Sequence, residues 1–377
     1  MALDELDRTR LREALVLAEQ AFGRSEPNPR VGCLIGHADG RVLARGCTQA
    51  PGQAHAEAAA LQAAREAGVD VRGATAWVTL EPCAHHGRTP PCADALVAAG
   101  LARVVVGTRD PFPQVDGRGL ERLRAAGIAV ELAEGDLEQA CREINIGFLS
   151  RVQRARPWVR MKVAASLDGR TALPDGTSQW ITGLAARTDG HAWRRRAAAV
   201  LTGIGTVLED DPRLDVRLVA VSAAEHQPLR VVVDSALQTP PHAKLLAPPG
   251  RVLVYAAHDD PARAALLRAA GAELAFLPGE GGKVDLAAML GDLARRGVNE
   301  LHVEAGHKLN GSLLRAGLVD ELLLYVAPVL LGPGREIARL PGLAALADAP
   351  RWTFHEATPV GQDLRLRLRP APPPTIP

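Results

Sequence analysis

Short apolar runs suited to strands alternate with helix-period runs along nearly the whole chain, and the alternation breaks once, at residues 147–157. Alternation of this kind is the mark of α/β layered domains, and a single break in 377 residues fits two of them. Before the break, Leu11, Leu15, Ala18 and Phe22 recur at helical steps and Gly23 ends the run. Residues 31–35 and 42–47 flank Asp39-Gly40, a pair that favours a hairpin. A helix is expected over 55–67, a strand over 75–80, and a second helix start around Pro82. Strands at 103–106 and 128–132 then alternate with helices at 120–126 and 137–146, with Asp136 as an N-cap. At the break, Arg151, Arg154, Arg156 and Pro157 read as a basic connector. Strand patterns resume at 158–164, 200–202, 229–233, 251–255, 301–304 and 322–329, with helical stretches between most of them. The expected division is a domain over 1–147, a linker over 148–157, a domain over 158–370 and a fraying proline-rich tail over 371–377.

Charge narrows the function. Lys+Arg number 44 against 43 Asp+Glu, so no chain-wide cationic grip on nucleic acid is expected. Only Lys162, Lys244, Lys283 and Lys308 are lysines; the excess of arginine reads first as a composition bias and second as a supply of forks for phosphate or carboxylate. The five cysteines are not a disulfide framework. Residues 1–10 do not read as a signal peptide, and the longest apolar stretch, 322–331, is far short of the ~20 residues of a membrane span. A cytoplasmic protein without a membrane partner is expected.

The first chemical constellation is His55-Ala56-Glu57 together with Cys83 and Cys92, which are separated by eight residues. One imidazole and two thiolates form a three-ligand zinc set whose fourth position is left for water. Zinc lowers the pKa of bound water to about 7, and Glu57 is placed to take that proton and return it as the catalytic acid/base. The alternatives are a closed structural zinc completed by His85 or His86, and a buried cysteine pair without metal. Cys33 and Cys47 read as core residues of the hairpin. A nucleic-acid deaminase is opposed by the neutral charge and the long cysteine spacer, and a non-enzymatic regulator by the presence of Glu57.

Residues 27–32 (Pro-Asn-Pro-Arg-Val-Gly), His55-Ala56-Glu57-Ala58 and the run from Thr79 to Cys92 resemble the deaminase half of the bifunctional riboflavin-biosynthesis deaminase–reductase family. The resemblance implies a cytidine-deaminase-like α/β/α sandwich. It also implies a substrate with a diaminopyrimidinone ring and a phosphoribosylamino group, whose 2-amino group is replaced by oxygen. Asn28 and His85 would line the pocket; from its sequence alone Asn28 also suits a turn between two prolines.

The second half lacks a strand–GxGxxG–helix unit, since Gly203-Ile204-Gly205 has no third glycine in place. Polar clusters follow strand patterns at 166–170, 202–206 and 304–307, where open α/β sheets bind ligands. Residues 164–171, 178–183, 203–217 and 303–311 resemble the reductase half of the same family, a dihydrofolate-reductase-like α/β domain that binds NADPH without the glycine fingerprint. The resemblance implies NADPH contacts at Ala164, Trp180, Thr206, Asp210 and Ser235, and along the run Gly306, His307, Lys308, Leu309, Asn310, Gly311 and Ser312. Substrate contacts would be Ser178, Arg194, Leu214, Arg217 and Glu304. Arg194 and Arg217 are forks suited to a ribose phosphate. Arg195 and Arg196 read as solvated helix charges. Lys162 is either a site residue or an edge-strand charge, and Asp210 and Glu304 are the available acids. The family further implies a homo-oligomer, dimer or tetramer.

Overall fold

The computed structural model describes residues 3–85, 90–221 and 227–371, and the chain separates into two compact units, 1–156 and 157–377. His86 and all but the first residue of the expected tail lie outside the described residues.

In the first unit the strands are β1 (Gly32–Gly36), β2 (Val42–Cys47), β3 (Thr75–Val78), β4 (Arg103–Val106) and β5 (Ala129–Leu132). The helices are α1 (Glu5–Glu19), α2 (Ala56–Glu66), α3 (Cys92–Ala98), α4 (Arg118–Ala125), α5 (Asp136–Ile144) and α6 (Ile146–Arg154). Among the described residues the strands form one sheet in the order β2-β1-β3-β4-β5, with β1 antiparallel to both neighbours and β3, β4 and β5 parallel. Gly40 turns the hairpin at φ +90°, as the Asp-Gly pair predicts. Strand alternation serves two apolar layers at once. Cys33, Ile35, Ala76, Val78, Val104 and Val106 pack with α2, α3, α4 and Phe148, while Leu34, Trp77 and Val105 pack with α1 and α5. This is the expected α/β/α sandwich.

Three local expectations are corrected. No helix starts at Pro82: residues 81–84 are irregular and α3 begins at Cys92, because Pro90-Pro91 postpones a helix that has its N-cap at Pro91. Asp136 is the first helical residue rather than the N-cap, which is Gly135. Most of the expected linker is helix α6, whose Phe148, Leu149 and Ser150 are buried. Its arginines hid an apolar face, and the units divide at Arg156/Pro157.

In the second unit the strands are β6 (Trp158–Ser166), β7 (Arg170–Ala172), β8 (Ala199–Gly203), β9 (Leu229–Val233), β10 (Val252–Ala256), β11 (Ala272–Phe276), β12 (Glu300–Val303), β13 (Glu321–Ala327), β14 (Arg335–Glu336), β15 (Trp352–Val360) and β16 (Asp363–Pro370). The helices are α7 (Leu184–Arg196), α8 (Ile204–Asp210), α9 (Pro261–Ala269), α10 (Leu286–Arg295) and α11 (His307–Arg315). Among the described residues nine strands form a sheet in the order β11-β10-β9-β8-β12-β6-β13-β16-β15, parallel as far as β13 and antiparallel beyond; β7 pairs with β14 separately. Lys162 on β6 is therefore central, not on an edge.

The two faces of this central region differ. Val159, Met161, Leu301 and Val303 face an apolar layer with Met289, Leu293 and Leu313. Arg160, Glu300, His302 and Glu321 occupy alternate positions on β6, β12 and β13 and are all wholly buried. Arg160 bridges Glu300 and Glu321 at 2.7 Å each, and Arg367 and Arg369 also bind Glu321. Arg196 joins the layer through Glu300 at 2.9 Å, which corrects its reading as a solvated charge. Unpaired, any one of these ions would cost several kcal/mol; pairing and hydrogen bonding offset that cost. Among the described residues no helix is long and apolar enough to cross a membrane.

Candidate functional sites

In the first unit the ligand cluster is set by close packing. A methyl on Gly46 would lie 2.3 Å from the Ala56 carbonyl oxygen, so α2 can seat its first turn on β2 because residue 46 is glycine. His55 is the N-cap of α2, Glu57 is buried in its first turn, and Cys92 opens α3. His55 Nδ1 lies 3.6 Å from Cys83 Sγ and 3.5 Å from Cys92 Sγ, and all three ligand atoms fall within 4.8 Å of one another. Tetrahedral zinc with ordinary Zn–N and Zn–S bonds needs such an edge to be about 3.6 Å. The donor set thus fits zinc in both chemistry and dimension.

A hydrogen bond from Cys92 holds Cys83 down at about 4, and the Cys92 thiol is pushed up in return. The hydrogen bond to Cys83 raises His55. Burial raises Glu57 to about 7, with the Cys83 charge adding to it.

A cavity of about 420 Å³ opens over this cluster, with Asn28, His85, Glu57 and Phe148 among its walls. Asn28 and His85 thus both line the cavity, and among the described residues the buried Nδ1 of His85 has no hydrogen-bond partner. Glu81, Asp110, Phe112 and Arg151 also line it and were missed as site residues. Glu81 lay inside the recognised run, but its task is visible only in three dimensions. Its carboxylate accepts from the backbone N–H groups of Asp110 (3.3 Å), Gly117 (3.1 Å), Gly119 (3.0 Å) and Leu120 (3.4 Å). It therefore ties the loop that carries Cys83 to the wall that carries Asp110 and Phe112. Burial raises Asp110 to about 6.

In the second unit a cavity of about 620 Å³ lies at the carboxyl ends of β6, β8 and β12. It gathers Lys162, Ser178, Arg194, Leu214, Arg217 and Glu304, every substrate-contact candidate of this unit. Of the NADPH candidates it gathers Ala164, Trp180, Thr206, Asp210, Gly306, His307 and Asn310. The others are not among the residues that line it. The Ser235 hydroxyl accepts from Val284 N–H at 3.3 Å, Leu309 packs against Gly203, and the Ser312 hydroxyl donates to the Lys308 carbonyl at 3.1 Å. Gly311 lies against the Arg339 backbone, where a methyl would approach the carbonyl oxygen to 2.1 Å.

The cavity floor is an ion cluster. Arg194 forks onto Glu304 through Nε and Nη2, the latter at 2.8 Å, and its Nη1 donates to the Asp215 carbonyl at 2.8 Å. Burial alone would raise Glu304, but Arg194, His302 and Lys162 together hold it well below the usual carboxylate range. Burial lowers Lys162 and raises Asp210. Arg217 donates to Asp215 at 2.6 Å, and its backbone N–H donates to His191 Nδ1 at 3.2 Å, so this imidazole is neutral; burial and the neighbouring Arg194 hold it down at about 4. The opening of α11 suits a phosphate group: Gly306 caps it without a side-chain hydrogen bond, leaving its first N–H groups directed outward. Beside it, among the described residues the buried Oδ1 of Asn310 has no partner, which fits a cavity built for a polar cofactor. Arg187, Arg213 and Arg335 line the cavity as well and had no signal in the sequence beyond being arginines.

Residues 157–366 match the family model described as the RibD C-terminal domain, and residues 4–108 match the cytidine and deoxycytidylate deaminase zinc-binding region. Riboflavin biosynthesis protein RibD of Escherichia coli is 43% identical over 369 residues, covering 94% of this chain and 97% of that protein. The Haemophilus influenzae protein of the same name is 41% identical, covering 96% of each. Among solved structures, Acinetobacter baumannii RibD, form 1, matches with a TM-score of 0.87 at 39% identity, covering 98% of this chain and 99% of that one. A Thermotoga maritima diaminohydroxyphosphoribosylaminopyrimidine deaminase/5-amino-6-(5-phosphoribosylamino)uracil reductase matches with a TM-score of 0.84 at 32% identity, covering 97% and 99%.

Proposed function

The chain belongs to the RibD family of bifunctional riboflavin-biosynthesis deaminase–reductases, and on that footing we propose the substrates and the residue roles of its two sites. The first unit is a zinc deaminase and the second an NADPH-dependent reductase. The first substrate is 2,5-diamino-6-(5-phosphoribosylamino)pyrimidin-4(3H)-one. Water replaces its 2-amino group, which leaves as ammonia. The second unit then converts the ribosyl group to ribityl, giving 5-amino-6-(5-phosphoribitylamino)uracil.

The observation that carries this reading is the pairing of a zinc-sized His55–Cys83–Cys92 triangle with the buried carboxyl of Glu57 on the wall of the same cavity, in a chain whose other unit holds a separate cationic cavity. Zinc, when bound, supplies an acidified water. Glu57 takes one proton from that water and passes it to the ring nitrogen, then carries the second, from the hydroxyl added to the ring carbon, to the amine, which departs as ammonia as the carbonyl forms. Asn28 and His85 orient the ring. In the second unit NADPH, when bound, supplies the hydride. Thr206, Asp210 and the opening of α11 hold the cofactor, while Arg194, Arg217 and Ser178 hold the substrate. Lys162 and Glu304 line the same cavity, and Arg194 keeps Glu304 ionised. Family membership also supports a cytoplasmic homodimer or tetramer, which sedimentation would test. The functional test is mass and ultraviolet detection of product from the diaminopyrimidinone with and without NADPH. Product one step on without the cofactor and two steps on with it is expected. No ammonia release in either case would refute the reading.

A further inference from the structure

Two guanidiniums of the reductase cavity are held in unlike ways. Arg194 belongs to helix α7, whereas Arg217 lies in residues 211–221, which form neither helix nor strand. Within that stretch Asp211 (φ +42°) and Leu214 (φ +53°) are left-handed without being glycine, a conformation that persists only where the surroundings hold it.

The hold falls on three consecutive residues. On one side, Arg194 Nη1 donates to the Asp215 carbonyl at 2.8 Å and His191 Nδ1 accepts from the Arg217 N–H at 3.2 Å. His191 and Arg194 are three residues apart on α7 and so share a face. Between these two points, Val216 turns to Gln227, just before β9: its N–H donates to Gln227 Oε1 at 2.7 Å, and its carbonyl accepts from Gln227 Nε2 at 3.1 Å. Backbone groups of successive residues in an extended chain point to opposite sides. Residues 215–217 are thus bonded on both sides as a central strand is, with three side chains in place of two neighbouring strands. Glutamine suits its part because one amide carries both a donor and an acceptor, the complement of a peptide unit. Asp215 joins the two forks, since its carbonyl takes Arg194 and its carboxylate takes Arg217 Nη1 at 2.6 Å. A shift of this segment would therefore move Arg217 relative to Arg194. Neither His191 nor Gln227 is among the residues that line the cavity.

We propose that His191 and Gln227 are positioning residues of the reductase site: they hold the backbone of Val216 and Arg217, fix the Arg217 guanidinium relative to Arg194, and thereby set the affinity for the phosphoribosylamino substrate. The proposal rests on the reading of Arg217 as a substrate contact. Because both residues act through the Arg217 segment, they govern binding of the substrate and not of NADPH.

The test is steady-state reduction of the deaminated substrate by the full chain, followed by NADPH absorbance. Gln227→Leu removes both bonds to Val216 and is expected to raise KM for the substrate roughly tenfold, the scale of one or two lost hydrogen bonds. The kcat and the KM for NADPH should stay within about twofold on the same scale. His191→Leu should act in the same direction, and His191→Asn, whose amide oxygen takes the place of Nδ1, should recover most of that loss. The decisive comparison is made in an Arg217→Ala background, where Gln227→Leu should add little, because residues that act through a common partner are not additive. A full tenfold effect in that background would overturn the proposal, as would equal losses in kcat and in NADPH affinity, which mark a general structural role. Should Gln227→Leu fail to fold, Gln227→Glu, which keeps the acceptor for the Val216 N–H, carries the same comparison with a smaller rise in KM. An unchanged substrate KM in Arg217→Ala alone would instead sink the reading of Arg217 as a substrate contact, and the positioning role with it.

Discussion

The two cavities solve the placement of charged groups in opposite ways. In the first, the reacting groups come from short stretches of chain: His55 and Glu57 from one helix turn, and Cys83 and Cys92 from one loop and the helix it enters. In the second, Lys162, Arg194, Arg217 and Glu304 come from a strand, a helix, a loop and another strand end, brought together by the order of a nine-stranded sheet. Burial also acts differently. It pushes Glu57 and Asp110 towards neutral pH in the first cavity, whereas arginine pairing keeps Glu304 and Glu321 ionised in the second unit. A site that moves protons needs carboxyls that can change state, and a site that orients two charged ligands needs carboxylates that do not.

The sharpest way to break this contrast is Glu57→Gln. Deamination should fall by roughly 10²–10⁴-fold, the usual scale for a general acid/base, while reduction of supplied deaminated intermediate continues. Loss of both activities would show that the sites are not independent. Arg194→Met comes next. It leaves Glu304 buried without its fork, and removing one partner of a buried pair costs roughly 3–5 kcal/mol. Reductase turnover, followed by NADPH absorbance, should drop a hundredfold or more with deamination retained; an unchanged rate would remove the ion cluster from the mechanism.

The smallest effect is one of stability. Burial pulls Glu356 upward, but Thr358, Arg365 and Arg367 hold it down at about 2. A depressed folded pKa gives stability that is present above the unfolded value of about 4.3 and is lost as pH falls towards 2. Melting of the unaltered protein followed by circular dichroism should therefore decline through that window. Glu356→Gln should decline less steeply, and parallel curves would show that Glu356 contributes nothing.

The contrast also governs what could be read from the sequence. The zinc ligands and Glu57 were legible because their spacing is local. The other walls of that cavity were not: Asp110 and Arg151 arrive from distant segments, and Arg151 sat in a stretch read as connector because its charges masked the apolar face of α6. In the second unit the strand pattern located the ends of β6, β8 and β12 at which the cavity lies, but not the arginines, Arg187, Arg213 and Arg335, that complete its lining. The closing hairpin was missed although β16 alternates Leu364, Leu366 and Leu368 with Arg365, Arg367 and Arg369; those arginines look solvated until Glu321, Glu356 and Asp189 are placed beside them. Arg196 misled for the same reason.

The two-faced central strands have a consequence for assembly of the sheet. Glu300 and His302 alternate with Leu301 and Val303, and β12 is flanked on both sides by parallel neighbours. A slip of one residue during folding would drive a carboxylate and an imidazole into the aliphatic layer and lift two aliphatic side chains among the arginines. The buried ions thus serve as a lock-and-key for strand alignment: mispaired sheets are penalised at every position at once, and only the alignment that assembles the cavity is tolerated.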